Sequence, residues 1–323
     1  MEIAYSIIRA AFDSIIPLLI VALGALICER SGVTNIALDG IMLMGAFVGF
    51  LIISSMENTM PANQAQVILL VALIAAAVVG GIFSLLHAFA SINLSSDQII
   101  SATALNLFSP ALIGFILLTS YKGGDIIIKR YTYKIKEVPL LNKVPIIGDI
   151  FFENVSIGLY LSIMILIVVY IFLYKTKYGF RLRACGENPH AADSLGINIY
   201  RYRYVAVITS GVLAGLGGIL FTLSNVGTFQ SFNATAGYGF LAIAVLIFGA
   251  WRPLRVLFAA TFFGFMSAIS SQYTLIPFLN QLNIPSQIYN SLPYLLTLIV
   301  LAVSSKKTRA PKAVGQIYDQ GAR

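Results

Sequence analysis

The chain has 323 residues, of which 58% are hydrophobic and 11% charged, with a formal net charge of +8. Soluble domains carry about 25% charged residues, so this composition excludes a soluble globular enzyme and points to a polytopic membrane protein. Basic residues held on one side of a bilayer account for the +8, and no nucleic-acid partner is expected.

Nine apolar runs approach the roughly 20 residues that a helix needs to cross the hydrocarbon. They cover about 14–28, 40–55, 66–90, 98–120, 157–174, 203–224, 238–250, 256–273 and 288–304. Backbone groups in lipid have no water to bond, so each run is expected to be a helix. The fold class is therefore all-α, with about nine transmembrane helices in one domain, 1–323. The first run lacks a small-residue cleavage site and is expected to be retained. Before it, Arg9 and Asp13 stand at i and i+4 and suit an amphipathic helix lying on the membrane surface. The run 238–250 is short, and fits either a half-helix or a span extended through 226–237. Asn35 to Phe47 and Asn233 to Trp251 both place an Asn- and Gly-bearing stretch before a short apolar run. Such paired interruptions mark helices broken near a transport pathway, although glycines also serve plain helix packing.

Two polar segments break the pattern. Residues 121–156 are too long for a simple connection. Residues 131–138 alternate like a strand, and Pro139, Pro145 and Gly148 punctuate the stretch after them. The segment reads either as an unstructured external loop or as a docking surface for an extracellular binding protein. The second polar segment, 175–203, contains a short helix written in capping residues. Asn188 suits the N-cap, Pro189 the first helical position, and Gly196 a left-handed C-terminal cap. Two turns are unstable alone, so the helix is expected to be held by a membrane surface or a partner. An ordinary loop with a stray turn is the bland alternative.

Lys and Arg set the orientation. The loop 175–203 carries Lys175, Lys177, Arg181, Arg183, Arg201 and Arg203; the turn 251–255 carries Arg252 and Arg255; the tail 305–323 carries Lys306, Lys307, Arg309, Lys312 and Arg323. Nine spans put all three on one side, expected to be the cytoplasm. The segment 121–156, with six basic and four acidic residues, then faces outward.

No phosphate-cradling glycine loop or nucleophile elbow occurs. His87 and His190 are far apart, and Cys28 and Cys185 cannot make a metal site alone, so neither an enzyme nor a metal centre is expected. The spans are almost free of Asp and Glu, with Asp13, Asp39 and Asp97 only at span ends. Ion-driven transporters need buried ionisable relays, so a neutral solute and an outside energy source fit better. His87 is expected to pack rather than carry protons. Asn35, Asp39, Asn106, Phe229, Phe232, Asn233, Tyr238 and Phe240 are candidate pathway residues. Aromatic faces with a few amides suit a flat base and its ribose, although each taken singly is as readily packing.

Three runs carry a family resemblance. The first holds Gly179, Arg183-Ala184, Gly186-Glu187-Asn188, Ala191-Ala192 and Gly196-Ile197. It resembles the coupling loop of ABC-importer permeases of the branched-chain amino acid, monosaccharide and nucleoside group. The second, Glu29 to Gly40, looks like the segment after the first span of nucleoside-type permeases. The third is Gly237-Tyr238-Gly239-Phe240 followed by Ile247-Phe248-Gly249-Ala250-Trp251. Together they cover about residues 14 to 304.

The resemblance implies a type II importer permease in the bacterial inner (cell) membrane, moving a nucleoside. It implies a second permease, related or identical, two ATPase subunits or one fused tandem ATPase, and an extracellular substrate-binding lipoprotein. This chain would hold no cofactor; ATP and Mg would sit on the ATPase. Arg183, Gly186, Glu187, Asn188, Pro189, Ala191, Ala192, Asp193 and Gly196 would couple it to that ATPase. The chain departs from the family pattern in Asp39, where Glu is common, Tyr238, where Arg is common, and Ala250, where Gly is common. A permease of the same group for amino acids or sugars is an alternative, as is a self-sufficient secondary transporter.

Overall fold

The computed structural model describes residues 2–121, 125–128, 133–138, 147–225, 228–229, 234–235, 237–276, 279, 281–282, 285–304 and 310–320. Its long helices are α1 (Glu2–Arg30), α2 (Leu38–Met56), α3 (Ala65–Ala88), α4 (Gln98–Ser120), α6 (Ile157–Lys175), α9 (Ile199–Asn225), α11 (Pro253–Ser271) and α12 (Ser286–Ser304). The shorter helices are α5 (Ile147–Phe151), α7 (Lys177–Glu187), α8 (Pro189–Ser194) and α10 (Tyr238–Phe248). All nine predicted runs are therefore helical. Among the described residues seven are long and apolar enough to cross a bilayer. The 11-residue α10 is not: at 1.5 Å per residue it reaches about 16 Å, roughly half the hydrocarbon. The half-helix alternative is the one observed.

Polar side chains at the helix starts satisfy backbone N–H groups that the helices leave open. Asp97 accepts from Ile99 and Ile100 at α4, and Ser156 accepts from Gly158 at α6. Thr176 accepts from Gly179 at α7, and Asn198 accepts from Arg201 at α9.

The core is built on α1 and α9. The α9 helix packs along α1, α2 and α3, and α11 lies on the other flank of α1. Glycines permit the close crossings: a Cβ on Gly45 would lie 2.5 Å from the Cα of Gly215, and one on Gly218 would strike the Met42 carbonyl. Outside this centre α3 exposes Val67, Leu70, Ile74, Val78 and Ile82. Steps of three and four put these on one face, as a lipid-facing surface requires.

At one end of the bundle the predicted alternation is realised in part. Strand β2 (Lys134–Glu137) pairs antiparallel with β3 (Glu153–Ser156), in register Ile135 to Val155. A second small pair joins β1 (Ile126–Ile127) to β4 (Thr228–Phe229). This end corrects the reading of Arg9 and Asp13. They belong to the continuous α1, not to a separate surface helix, because the hairpin supplies their partners. Arg9 reaches Glu153 at 3.4 Å and Lys134 reaches Asp13 at 2.7 Å.

Candidate functional site

Two groups of the predicted residues come together at separate places. The first lies where the chain turns from α1 into α2. Asn35 is buried; its Nδ2 donates to Ser210 Oγ at 3.2 Å and its Oδ1 accepts from the Ala37 amide. Asn106, on α4, accepts from the Gly40 amide at 2.8 Å and donates to the Ile36 carbonyl at 2.9 Å. Both amides are committed to bracing this turn. His87 is buried beside it, one ring nitrogen facing Ser101 and Nε2 3.0 Å from the Thr34 carbonyl. A carbonyl only accepts, so Nε2 carries hydrogen, and the ring acts as a packed brace.

Asp39, in the first turn of α2, reaches a different helix. Its Oδ1 accepts from the Gly239 amide at 3.0 Å, and Thr235 supplies a further side-chain bond. Asp39 thus caps α10, whose preceding residue, Gly237, has φ +77° and offers no side chain for the purpose. The Tyr238 hydroxyl bonds Ser267 and Ser14, and its ring lies 3.8 Å from that of Phe221. Phe240 is half-exposed on α10. Phe229 does not join them: it is buried between Phe47 and Phe50, at 5.5 and 5.8 Å. Phe232 and Asn233 lie outside the described residues.

The second group is the α7–α8 end. Helix α8 has the caps expected of it. Asn188 Oδ1 accepts from the Ala191 amide at 3.1 Å, Pro189 opens the helix, and Gly196 has φ +77°. Ala192 faces inward, packed with Cys185, Ile199 and Tyr318. Ala191 is exposed, Asp193 is half-buried, and Leu195 just beyond α8 is 81% exposed. Upstream, Gly186 presses on the Arg30 carbonyl and Glu187 lies 3.8 Å from Arg30. Arg183 stacks over Tyr174 and Phe180 at 4.9 and 4.6 Å. Arg30 in turn donates to the Trp251 carbonyl at 2.6 Å, and the Trp251 indole donates to Glu29 at 2.6 Å. Burial pushes the Cys185 thiol up to about 11, against a smaller opposing pull from Arg203.

Sequence reasoning missed two parts of this end. Helix α7 falls where the sequence reads as loop; the Thr176 cap and the inward Gly179, Leu182 and Gly186, at steps of three and four, mark it. The tail reads in sequence as merely basic, yet 310–320 folds back as a strap. The Ala313 amide donates to the Gly186 carbonyl at 2.9 Å and the Gly315 amide donates to the Gly32 carbonyl at 3.2 Å. Buried Arg203 donates to the Gln316 carbonyl, and Tyr318 packs against His190, Tyr200 and Arg203. Lys306, Lys307, Arg309 and Arg323 lie outside the described residues.

The family model described as branched-chain amino acid transport system / permease component matches residues 7–302. The chain belongs to that family. It is 40% identical to the nucleoside ABC transporter permease protein NupC of Lactococcus lactis, over 94% of this chain and 93% of the relative. It is 37% identical to the guanosine ABC transporter permease protein NupQ of Bacillus subtilis, over 100% and 99%. At 30% identity it is also similar to TsgC13 of Haloferax volcanii, a permease named for glucose, over 99% of each. No solved structure matches the chain. Family membership and the apolar helices make it a multi-pass membrane protein of the permease class.

The family's departures also acquire physical meaning. Ala250 has φ +48°, the left-handed region in which glycine is at ease. Asp39, far from Tyr238 in sequence, bonds the Gly239 amide next to it at the start of α10.

Proposed function

We propose that the chain is the membrane-spanning permease subunit of an ATP-binding cassette importer whose solute is a nucleoside. The observation that carries this is the end-to-end similarity, at 37% and 40% identity, to permeases named for guanosine and nucleosides. Scarce carboxylates within the spans agree with a neutral solute driven by separate subunits. In this reading the chain crosses the inner membrane about nine times, counting α10, with α7, α8 and the tail in the cytoplasm. The 121–156 segment faces outward toward a substrate-binding lipoprotein. A second permease completes the pathway, and two ATPase subunits, or one fused tandem ATPase, carry ATP and Mg. Helix α8 presents Ala191, Asp193 and Leu195 to the ATPase, while Ala192 holds the helix to the permease. Motion of α8 passes through Gly186 to the end of α1 and the turn that holds Asp39. Asp39, Tyr238 and Phe240 sit nearest the solute.

Reconstitution with the ATPase and binding protein tests this. ATP-dependent uptake of labelled guanosine or uridine, exceeding that of glucose or leucine at least tenfold, is expected. Glucose preference would favour the sugar reading that the TsgC13 likeness supports. Gradient-driven uptake without ATPase would replace the importer reading altogether. Orientation is tested with single cysteines at Lys136 and Ser194 in a background lacking Cys28 and Cys185. An impermeant reagent added to intact cells should label the first and spare the second.

A further inference from the structure

Four arginines line a cavity of about 430 Å³ beside α7, where the chain leaves α1 and enters α11. Arg30 comes from the end of α1, Arg183 from α7, and Arg252 and Arg255 from the turn into α11; Tyr170 and Tyr174 of α6 form the facing wall. Among the described residues the buried Arg183 Nε has no hydrogen-bond acceptor. Among the described residues neither Arg252 nor Arg255 forms a salt bridge. The acid bridged to the set is Glu187, 3.8 Å from Arg30; Glu29 is turned into the Trp251 indole. Among the described residues the set thus holds four positive charges against the Glu187 carboxylate, with Glu29 engaged by the indole, which leaves a site for an anion, and guanidinium groups suit phosphate in particular.

The surroundings say which anion. Helices α6 and α11 touch, and both continue from the cavity along the bundle as exposed apolar ladders. On α6, Ile167 and Ile163 follow Tyr170; on α11, Phe258 and Phe262 follow Arg255. Because α6 enters the cavity with its C-terminal turn and α11 leaves it with its first turn, both ladders run the same way, into the hydrocarbon. Tyrosines at such a boundary are typical of the headgroup level. A basic pocket between span ends that continues into exposed apolar helix faces fits a phospholipid headgroup with its chains.

We propose that this cavity binds an anionic phospholipid, its phosphate among Arg183, Arg252 and Arg255 and its acyl chains along the exposed apolar faces of α6 and α11. The inference rests on α6 and α11 spanning the bilayer and is independent of which solute is carried. Bound lipid would fix the α10–α11 turn, and with it Trp251 and Arg30, at the level of the headgroups.

The test uses full-length protein purified in detergent, alone and with its ATPase. Lipid carried through purification is measured by mass spectrometry, and melting is followed on adding phosphatidylglycerol, phosphatidylcholine or inorganic phosphate. Wild type should retain phosphatidylglycerol and melt several degrees higher with it, but not with the other two. The double variant Arg252→Gln/Arg255→Gln should retain at least fivefold less and lose the shift. Arg252→Lys/Arg255→Lys, which keeps the charge, should keep most of both. Equal retention in wild type and the Gln variant, or an equal shift with phosphatidylcholine, would overturn the proposal. An equal shift with inorganic phosphate would make this a soluble-anion site instead. Protection of Arg252 and Arg255 from phenylglyoxal by delipidated ATPase complex, with none from lipid, would make it a protein interface.

Discussion

Helices α8 and α10 are both short, and each depends on an acceptor at its N-terminus, but the acceptors come from different places. Asn188 caps α8 from the adjoining residue. Asp39 caps α10 across 200 residues of sequence. The start of α8 is therefore fixed by its own sequence. The start of α10 takes its side-chain cap from α2, so its position reports the arrangement of two helices. A local cap suits a part that is pushed; a borrowed cap suits a junction that opens and closes.

The harshest way to break the local side of this contrast is to pry α7 from α1. A Cβ on Gly186 would drive into the Arg30 carbonyl. Gly186→Val should cost about 3 kcal/mol through overpacking and reduce uptake to below a tenth, read by membrane expression and transport. Next comes the strap. Tyr318→Ala removes a buried ring packed on His190, Tyr200 and Arg203, costing about 2–3 kcal/mol. Cys185, packed in the same cluster, is the reporter. With the thiol at about 11, roughly one in a thousand is thiolate at pH 8, so wild type should alkylate slowly. Y318A should speed alkylation at least tenfold. The folded thiol keeps its proton above the ordinary 9.0, so this group's contribution to stability is whole below pH 9. It falls as pH rises through about 11.

On the borrowed side, Asp39→Ala should leave the Gly239 amide without its acceptor, at about 1–2 kcal/mol, and lower uptake several-fold. Asp39→Asn, which still accepts, should retain most of it. Asn188→Ala should cost about 1 kcal/mol and lower coupling without touching solute affinity. If Asp39→Ala changed ATPase coupling alone, or Asn188→Ala changed solute affinity alone, the contrast would be reversed. The smallest effects concern backbone sign. Gly196→Ala meets open space yet must hold φ +77°, costing about 1 kcal/mol. Ala250→Gly should relieve a similar strain at φ +48° and raise the melting temperature slightly.

Legibility in the sequence divides along the same line. Span positions were legible to within a few residues because apolar length is a local property, except at α1, which starts at Glu2 rather than near residue 14. The caps of α8 were legible because Asn188, Pro189 and Gly196 act on their own neighbours. Asn35 and Asn106 were read as pathway residues, whereas their side chains brace the α1–α2 turn through Ser210 and Ile36. Nothing local reveals a bond made across 70 or 175 residues. Ala192 was read as part of a docking face, but Tyr318, more than a hundred residues away, claims it. Helix α7 was legible in principle; its basic residues drew attention from its small, inward positions.

The glycine crossings of α2, α3 and α9 have a consequence for how the molecule can move. Where Gly45 meets Gly215 and Gly80 meets Gly211, main chain rests on main chain. At these two points no rotamer stands between the helices to exchange, so the three are held stiffly there. Displacement is then left to what lies beside them, and α10 is short, tethered to α2 by Asp39, and followed by Trp251 against Arg30. Stiffness placed in one set of helices is what lets a small push at the other end become a directed stroke rather than a diffuse wobble.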